Sequence, residues 1–195
     1  MKKINSQVVI LASRSPRRVE LLKQIGIESM VYPADVDESA FEGETPADYV
    51  QRLAKEKVIA IAKSLKSEYE NLPVLAADTT VALKGEILGK PLSDADAMEM
   101  LKKLSGSKHT VYTAVALFVN NRVKVTLSET QVDMILLSDS MIKAYVATGE
   151  HRDKAGSYAI QGKAGAWVAR IEGSYSGVMG LPLFETALLL REISK

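Results

Sequence analysis

Apolar and polar positions alternate in blocks that mark out a series of elements. Val8-Val9-Ile10-Leu11-Ala12 is an unbroken apolar run of strand length and reads as a buried strand. A helix follows, with Ser15 suited to the N-cap, Pro16 to the first helical position and Gly26 to the closing C′ position. Ile27 to Pro33 reads as extended, ahead of a polar loop carrying Asp35, Asp37, Glu38, Glu42 and Glu44. Thr45-Pro46-Ala47-Asp48 opens a second helix with a near capping box, Asp standing where Glu or Gln is usual, and the spacing carries this helix to Leu65.

The later chain continues with a strand from Val74 through Ala77, interrupted by Asp78-Thr79-Thr80 and resumed at Val81-Ala82-Leu83, then a turn at Lys84-Gly85-Glu86. Ser93 and Asp96 open a helix with Ala97, Met100, Leu101 and Leu104 on one face. Thr110 to Val119 and Val123 to Leu137 flank Asn120-Asn121 and read as a hairpin, and Ser138 caps a helix ending at Gly149. Lys154 to Gly162 reads as a loop and short strand, and Gly180-Leu181-Pro182 leads into a last helix, Leu183 to Ile193. Strands and helices alternate early and a hairpin sits in the middle, so the class is α/β with a mixed central sheet flanked by helices. Residues 1–195 are expected to form one domain of two lobes, with the site in the cleft between them.

Some positions break the pattern. The helical stripe Val50, Leu53, Ala54, Val58, Ile61, Ala62 and Leu65 has Lys57 in its middle. Either its stem is buried while the ammonium snorkels to water, or the stripe borders a cleft and Lys57 meets an anion. Asp78, apolar on both sides, is expensive to bury without a cation, a metal or several donors. That makes it the best catalytic candidate, against the alternative of a turn cap or a structural ion pair. Gln161, between Ile160 and Gly162, reads equally as a base reader or a backbone clamp. Ser13-Arg14-Ser15-Pro16-Arg17-Arg18 sits where a strand hands over to a helix, and its arginines, hydroxyls and helix start make an anion cradle, unless the arginines pair with surface acids such as Glu20.

Composition narrows the chemistry. Twenty-five basic and 24 acidic residues give a net charge of +1, so no global field points to a nucleic-acid partner. Cysteine is absent, which removes disulfides, thiolate metal sites and a cysteine nucleophile and fits the cytoplasm. The apolar stretch after Met1-Lys2-Lys3 is too short for a signal peptide, and no apolar run has membrane-spanning length. Two histidines 42 residues apart leave no H-E-x-x-H pair and no histidine-rich metal site, and His109 at a strand entrance reads as structural. Gly85 to Lys90 fails as a P-loop because the glycine spacing is one short and Pro91 replaces Ser or Thr. What remains is Arg17, Arg18, Lys57 and Lys90 around Asp78 and a loop acid, the composition of a polyphosphate site. Magnesium typically uses one or two carboxylates plus substrate phosphates, so metal-assisted hydrolysis is the working class.

Ser13 to Arg18 resembles the opening motif of the Maf family of nucleoside triphosphate pyrophosphatases. Further segments are similar to the same pattern: the helix with Lys57, Ala77-Asp78-Thr79, Gly89-Lys90-Pro91, Ser105-Gly106 with His109, Gly156-Ser157-Tyr158, Ile160-Gln161-Gly162 and Val178 to Pro182. The resemblance implies a fold like that of the inosine triphosphate pyrophosphatases. It also implies hydrolysis of a nucleoside triphosphate to monophosphate and pyrophosphate, with Asp78 as proton acceptor and a divalent cation, Mg or Mn, as cofactor. Ile160-Gln161-Gly162 resembles the branch acting on dTTP and UTP, with Arg17, Thr79 and Gln161 setting substrate choice. Ser13, Ser15, Arg18, Lys57 and Lys90 are expected on the phosphates, and Glu38 with Asp78 on the metal, Asp37 being the other acid at the expected place. A homodimer is left open. Two other functions compete: a pyrophosphatase for modified purine nucleotides, and a non-enzymatic nucleotide-binding regulator of septum formation.

Overall fold

The computed structural model describes residues 8–69 and 71–191. Strand β1 (Val8–Leu11) leads through α1 (Pro16–Gln24) to β2 (Glu28–Val31), and α2 (Pro46–Ser64) crosses to β3 (Val74–Leu83) and its short partner β4 (Glu86–Leu88). After α3 (Asp94–Leu104) come the hairpin β5 (Lys108–Val119) and β6 (Arg122–Met134), then α4 (Asp139–Val146), β7 (Val168–Glu172), α5 (Tyr175–Met179) and α6 (Leu183–Arg191). Among the described residues the seven strands form one mixed sheet in the order β2-β1-β3-β5-β6-β7, with β4 on β3. The expected α/β class and mixed sheet are therefore present.

Local chemistry accounts for most element boundaries. Thr45 Oγ1 accepts from the Asp48 amide and donates to its carboxylate, while the hydroxyls of Ser93 and Ser138 accept from the Asp96 and Met141 amides at the starts of α3 and α4. Ser15 occupies the α1 N-cap without a side-chain cap bond; its amide instead donates to Ser13 Oγ at 3.2 Å. Asn120 and Asn121 both adopt positive φ, 50° and 58°, the primed turn that matches the hairpin twist. The short strand expected between Lys154 and Gly162 is absent. Gly156 and Ser157 take φ of 66° and 62°, left-handed values that no strand accepts, and the segment forms a 3-10 turn at Ala155–Ser157. A Cβ on Gly156 would come within 2.9 Å of the Val81 side chain, so the close approach also needs glycine. β7 and α5 were not anticipated, and the end of the last helix at Ile193 lies outside the described residues.

The pairing of β3 positions the site. One edge is taken by β5 from Val74 to Ala82. The other edge is shared: β1 runs parallel and pairs with Val74 and Leu75, and β4 runs antiparallel and pairs with Val81 to Leu83. Residues 76–80 have no strand partner on that edge. The gap opens at the C-terminal end of β1, where the parallel order turns from β2 to β3, the place where open α/β sheets bind ligands. Helices cover both faces. α1 and α6 pack Leu21, Leu22, Leu189 and Leu190 over Val9, Leu11, Leu75 and Ala77, whereas α2 packs Val50, Ala54 and Val58 over Ile10, Val74 and Ala76. A third cluster joins Val81, Val111 and Val132 at the far end of the long strands to Leu101, Leu104, Ile142 and Trp167. No described helix is long and apolar enough to cross a membrane.

His109 belongs to this far end. It is 2% exposed, its Nε2 lies 2.8 Å from the Tyr158 hydroxyl, and its Nδ1 is buried without a partner. Burial pushes its pKa down to about 4. The neutral ring thus stabilises the fold above the unfolded-state value of 6.5, and this contribution is lost as pH falls towards 4. Urea unfolding should show about 2 kcal/mol of His109-dependent stability disappearing between about pH 6.5 and pH 5. The slope should flatten in His109→Gln; an unchanged slope would contradict the burial assigned to this ring.

Candidate active site

Asp78 sits in the middle of the uncovered β3 edge and faces α2. Lys57, also buried on that face, places Nζ 2.6 Å from Asp78 Oδ1 and 2.7 Å from Glu38 Oε1. Lys90 Nζ reaches the other oxygen of Glu38, at 2.7 Å. A chain of alternating charge therefore runs from the interior to the surface: Asp78, Lys57, Glu38, Lys90. Burial pushes Asp78 upward, against the pull of Lys57 and of the nearby Arg18 guanidinium. Partial burial acts in the same sense on Glu38, but the hydrogen bonds and charges of Lys57 and Lys90 hold it down at about 2. The snorkelling alternative for Lys57 fails, because its ammonium ends on two carboxylates and not in water.

The loop that presents Glu38 is clamped from α2. Arg52 grips the Glu44 carboxylate with Nε at 2.6 Å and Nη2 at 2.8 Å, donates from Nη2 to the Ser39 carbonyl and stacks 4.0 Å from the Phe41 ring centroid. The Tyr49 hydroxyl donates to the Glu38 carbonyl at 2.8 Å. Of the two acids expected here the structure brings in Glu38, while Asp37 is exposed and accepts from the Ser39 amide. Arg52 and Tyr49 escaped sequence reasoning, since an arginine and a tyrosine on a polar helix face carry no spacing signal.

Side chains alternate along a strand, so Thr79 points to the other face, towards α1. There Arg18 donates Nε to the Gly180 carbonyl at 2.8 Å, Nη1 to Ser13 Oγ at 2.9 Å and Nη2 to Thr79 Oγ1 at 3.3 Å. Those bonds use three of its five N–H groups and leave two without a partner among the described residues. Arg17 donates Nε to the Met179 carbonyl at 3.2 Å, and Lys154 lies close enough for the two positive charges to repel. The Gly156 amide donates to the Gly89 carbonyl at 3.1 Å, which ties the Lys154–Ser157 turn to the segment carrying Lys90. Ser13 is buried and Ser15 half-buried at the start of α1. Gln161 is exposed, in a turn after buried Ile160, so its amide is not the enclosed group that its apolar neighbours in sequence suggest.

A family model described as Maf-like protein matches residues 8–193. The chain belongs to the Maf family. A relative from Methylobacillus flagellatus named dTTP/UTP pyrophosphatase is 55% identical, over 96% of this chain and 94% of its own length. Relatives with the same name from Nitrosomonas europaea and Pseudoalteromonas atlantica are 53% and 50% identical, each covering at least 93% of both chains. A partial structural likeness extends to the Staphylococcus aureus Ham1 protein, at 22% identity and TM-score 0.48, over 66% of this chain and 72% of that one. For this Maf chain the geometry assembles Asp78, Lys57, Glu38 and Lys90 on one side of the β3 gap and Arg17, Arg18, Thr79 and Ser13 on the other.

The buried ion pair gives a direct test. Removing one partner of a buried pair typically costs about 3–5 kcal/mol because it strands a charge. Lys57→Met should lose stability of that order in denaturant unfolding, and Asp78→Asn in the same chain should recover part of it. Wild-type stability of Lys57→Met would mean that the pair is not made in solution.

Proposed function

We propose that this Maf protein is a pyrophosphatase that hydrolyses dTTP and UTP to the nucleoside monophosphate and pyrophosphate. The observation that carries the reading is the buried Asp78–Lys57 pair, joined by the half-buried Glu38, at the open edge of β3, in a chain whose relatives bear that activity in their names. Glu38 and Asp78 both approach one ammonium, so their oxygens converge on a single small volume, and two carboxylates with room for substrate phosphates fit Mg or Mn. Among the described residues no third histidine, cysteine or acid joins them, which leaves the remaining ligand positions to phosphate and water. Such a cation supplies charge neutralisation on the phosphoryl oxygens.

The chain's own residues do the rest. As the triphosphate enters, Lys57 and Lys90 exchange Glu38 and Asp78 for phosphate oxygens, joined by Ser13, Ser15 and the spare N–H groups of Arg18. Asp78, freed from Lys57 and made more basic by burial, takes a proton from the attacking water. The water oxygen bonds to phosphorus, the phosphoanhydride bond breaks, and pyrophosphate leaves with its bridging oxygen. Arg17 and Thr79, on the other face, read the base together with Gln161, whose exposed amide offers both a donor and an acceptor to thymine or uracil. The two packed ends of the sheet act as lobes around this gap. Absence of cysteine supports work in the reducing cytoplasm.

Asp78→Asn should lower kcat on dTTP by roughly two to four orders of magnitude, the range for losing a general base, while nucleotide binding persists. Near-normal turnover in the folded variant would remove Asp78 from that role. On a panel of triphosphates with Mg or Mn, dTTP and UTP should exceed CTP and GTP in kcat/KM, and Gln161→Ala should erode the preference more than the best rate. Equal rates across the panel would contradict the assigned specificity, and efficient hydrolysis of modified purine nucleotides alone would replace it.

A further inference from the structure

We propose that Thr113 sets the discrimination between uracil or thymine and cytosine by fixing the hydroxyl proton of Thr79. The inference rests on the reading of Thr79 as a base contact and goes beyond it by assigning the proton. Thr113 lies directly across from Thr79 in the β3/β5 register, is 1% exposed, and holds its Oγ1 2.8 Å from the Gly177 carbonyl and 3.0 Å from Thr79 Oγ1. A carbonyl oxygen can only accept, and a hydroxyl has one proton, so Thr113 gives its proton to Gly177. The Thr79–Thr113 hydrogen bond must then use the proton of Thr79. One lone pair of Thr79 Oγ1 already accepts from Arg18 Nη2 at 3.3 Å. Half-buried at the open edge of β3, Thr79 thus presents a ligand with an acceptor and no donor.

That polarity separates the pyrimidines. Uracil and thymine carry N3–H, which such an acceptor satisfies, whereas cytosine carries a lone pair at N3 and would set acceptor against acceptor. An unmade or repulsive polar contact in a closed site is worth about tenfold or more in selectivity. Thr113 touches no substrate in this account, so it is a positioning residue acting through Thr79.

The test is the ratio of kcat/KM for UTP over CTP in the full chain. Thr113→Val keeps the volume but frees the Thr79 proton to turn towards cytosine, and the ratio should fall about tenfold or more, while Thr113→Ser, which retains the hydroxyl, should restore it. A purely structural role would slow both nucleotides alike and leave the ratio in place. An unchanged ratio in Thr113→Val, with Thr79→Val altering it, overturns the proposal while leaving Thr79 as a base contact. An unchanged ratio in Thr79→Val removes the base contact itself, and the proposal with it. The wild-type protein gives a second measurement that needs no variant to fold: N3-methyl-UTP, which keeps both carbonyls and lacks the N3 proton, should be as poor a substrate as CTP. Hydrolysis of it at the UTP rate would also overturn the proposal.

Discussion

The contact between Lys57 Nζ and Asp78 Oδ1, 2.6 Å long and 7% exposed at each residue, ties the sheet to the helix that crosses it. A carboxylate in the apolar run of β3 is tolerated because a cation arrives from α2, and a lysine in the apolar stripe of α2 is tolerated because β3 supplies the carboxylate. Neither residue could be buried in this way alone. The pair needs a stretch of β3 edge with no neighbouring strand, and the topology provides one because the pairing with β1 ends at Leu75 of β3 and the pairing with β4 begins at Val81 of β3. Glu38 and Lys90 then extend the charge alternation outward to the surface.

Strand alternation divides the work. Asp78 and Thr79 are neighbours in sequence yet project to opposite faces, the first into the α2 cluster and the second towards α1 and α5. In the proposed reaction the Asp78 side carries the proton transfer, and the Thr79 side carries the base contacts together with the phosphate donors Ser13 and Arg18. Gly177, Met179 and Gly180 contribute carbonyls to the second face, so the Gly177–Gly180 segment acts through its backbone. The Arg52 clamp serves the first face by holding the loop from which Glu38 reaches Lys57.

Much of this was legible in the chain. Caps at Thr45, Ser93 and Ser138 and the Asn120-Asn121 turn announced their elements because each satisfies a backbone requirement within a few residues. Lys57 and Asp78 were visible as charges out of pattern. Their pairing was not, since it depends on how α2 crosses β3. At Ser13 to Arg18 the cluster of donors was visible, but not that Arg18 also braces Gly180, Ser13 and Thr79, because those partners are brought together only by the fold. Gln161 looked enclosed because its sequence neighbours are apolar, but a turn places it outside. The gap in the β3 edge left no trace in any single segment, because it arises from two strands, far apart in sequence, that share one edge without meeting.

Exchange of carboxylates for phosphates at Lys57 is the step on which the account turns, and a crystal structure with Mn and an uncleavable dTTP analogue tests it most directly. The triphosphate should lie against residues 76–80 of β3, with Lys57 and Lys90 turned from Glu38 and Asp78 to phosphate oxygens and the metal on the two freed carboxylates. Nucleotide bound elsewhere, with the Lys57 contacts to Asp78 and Glu38 intact, would contradict it.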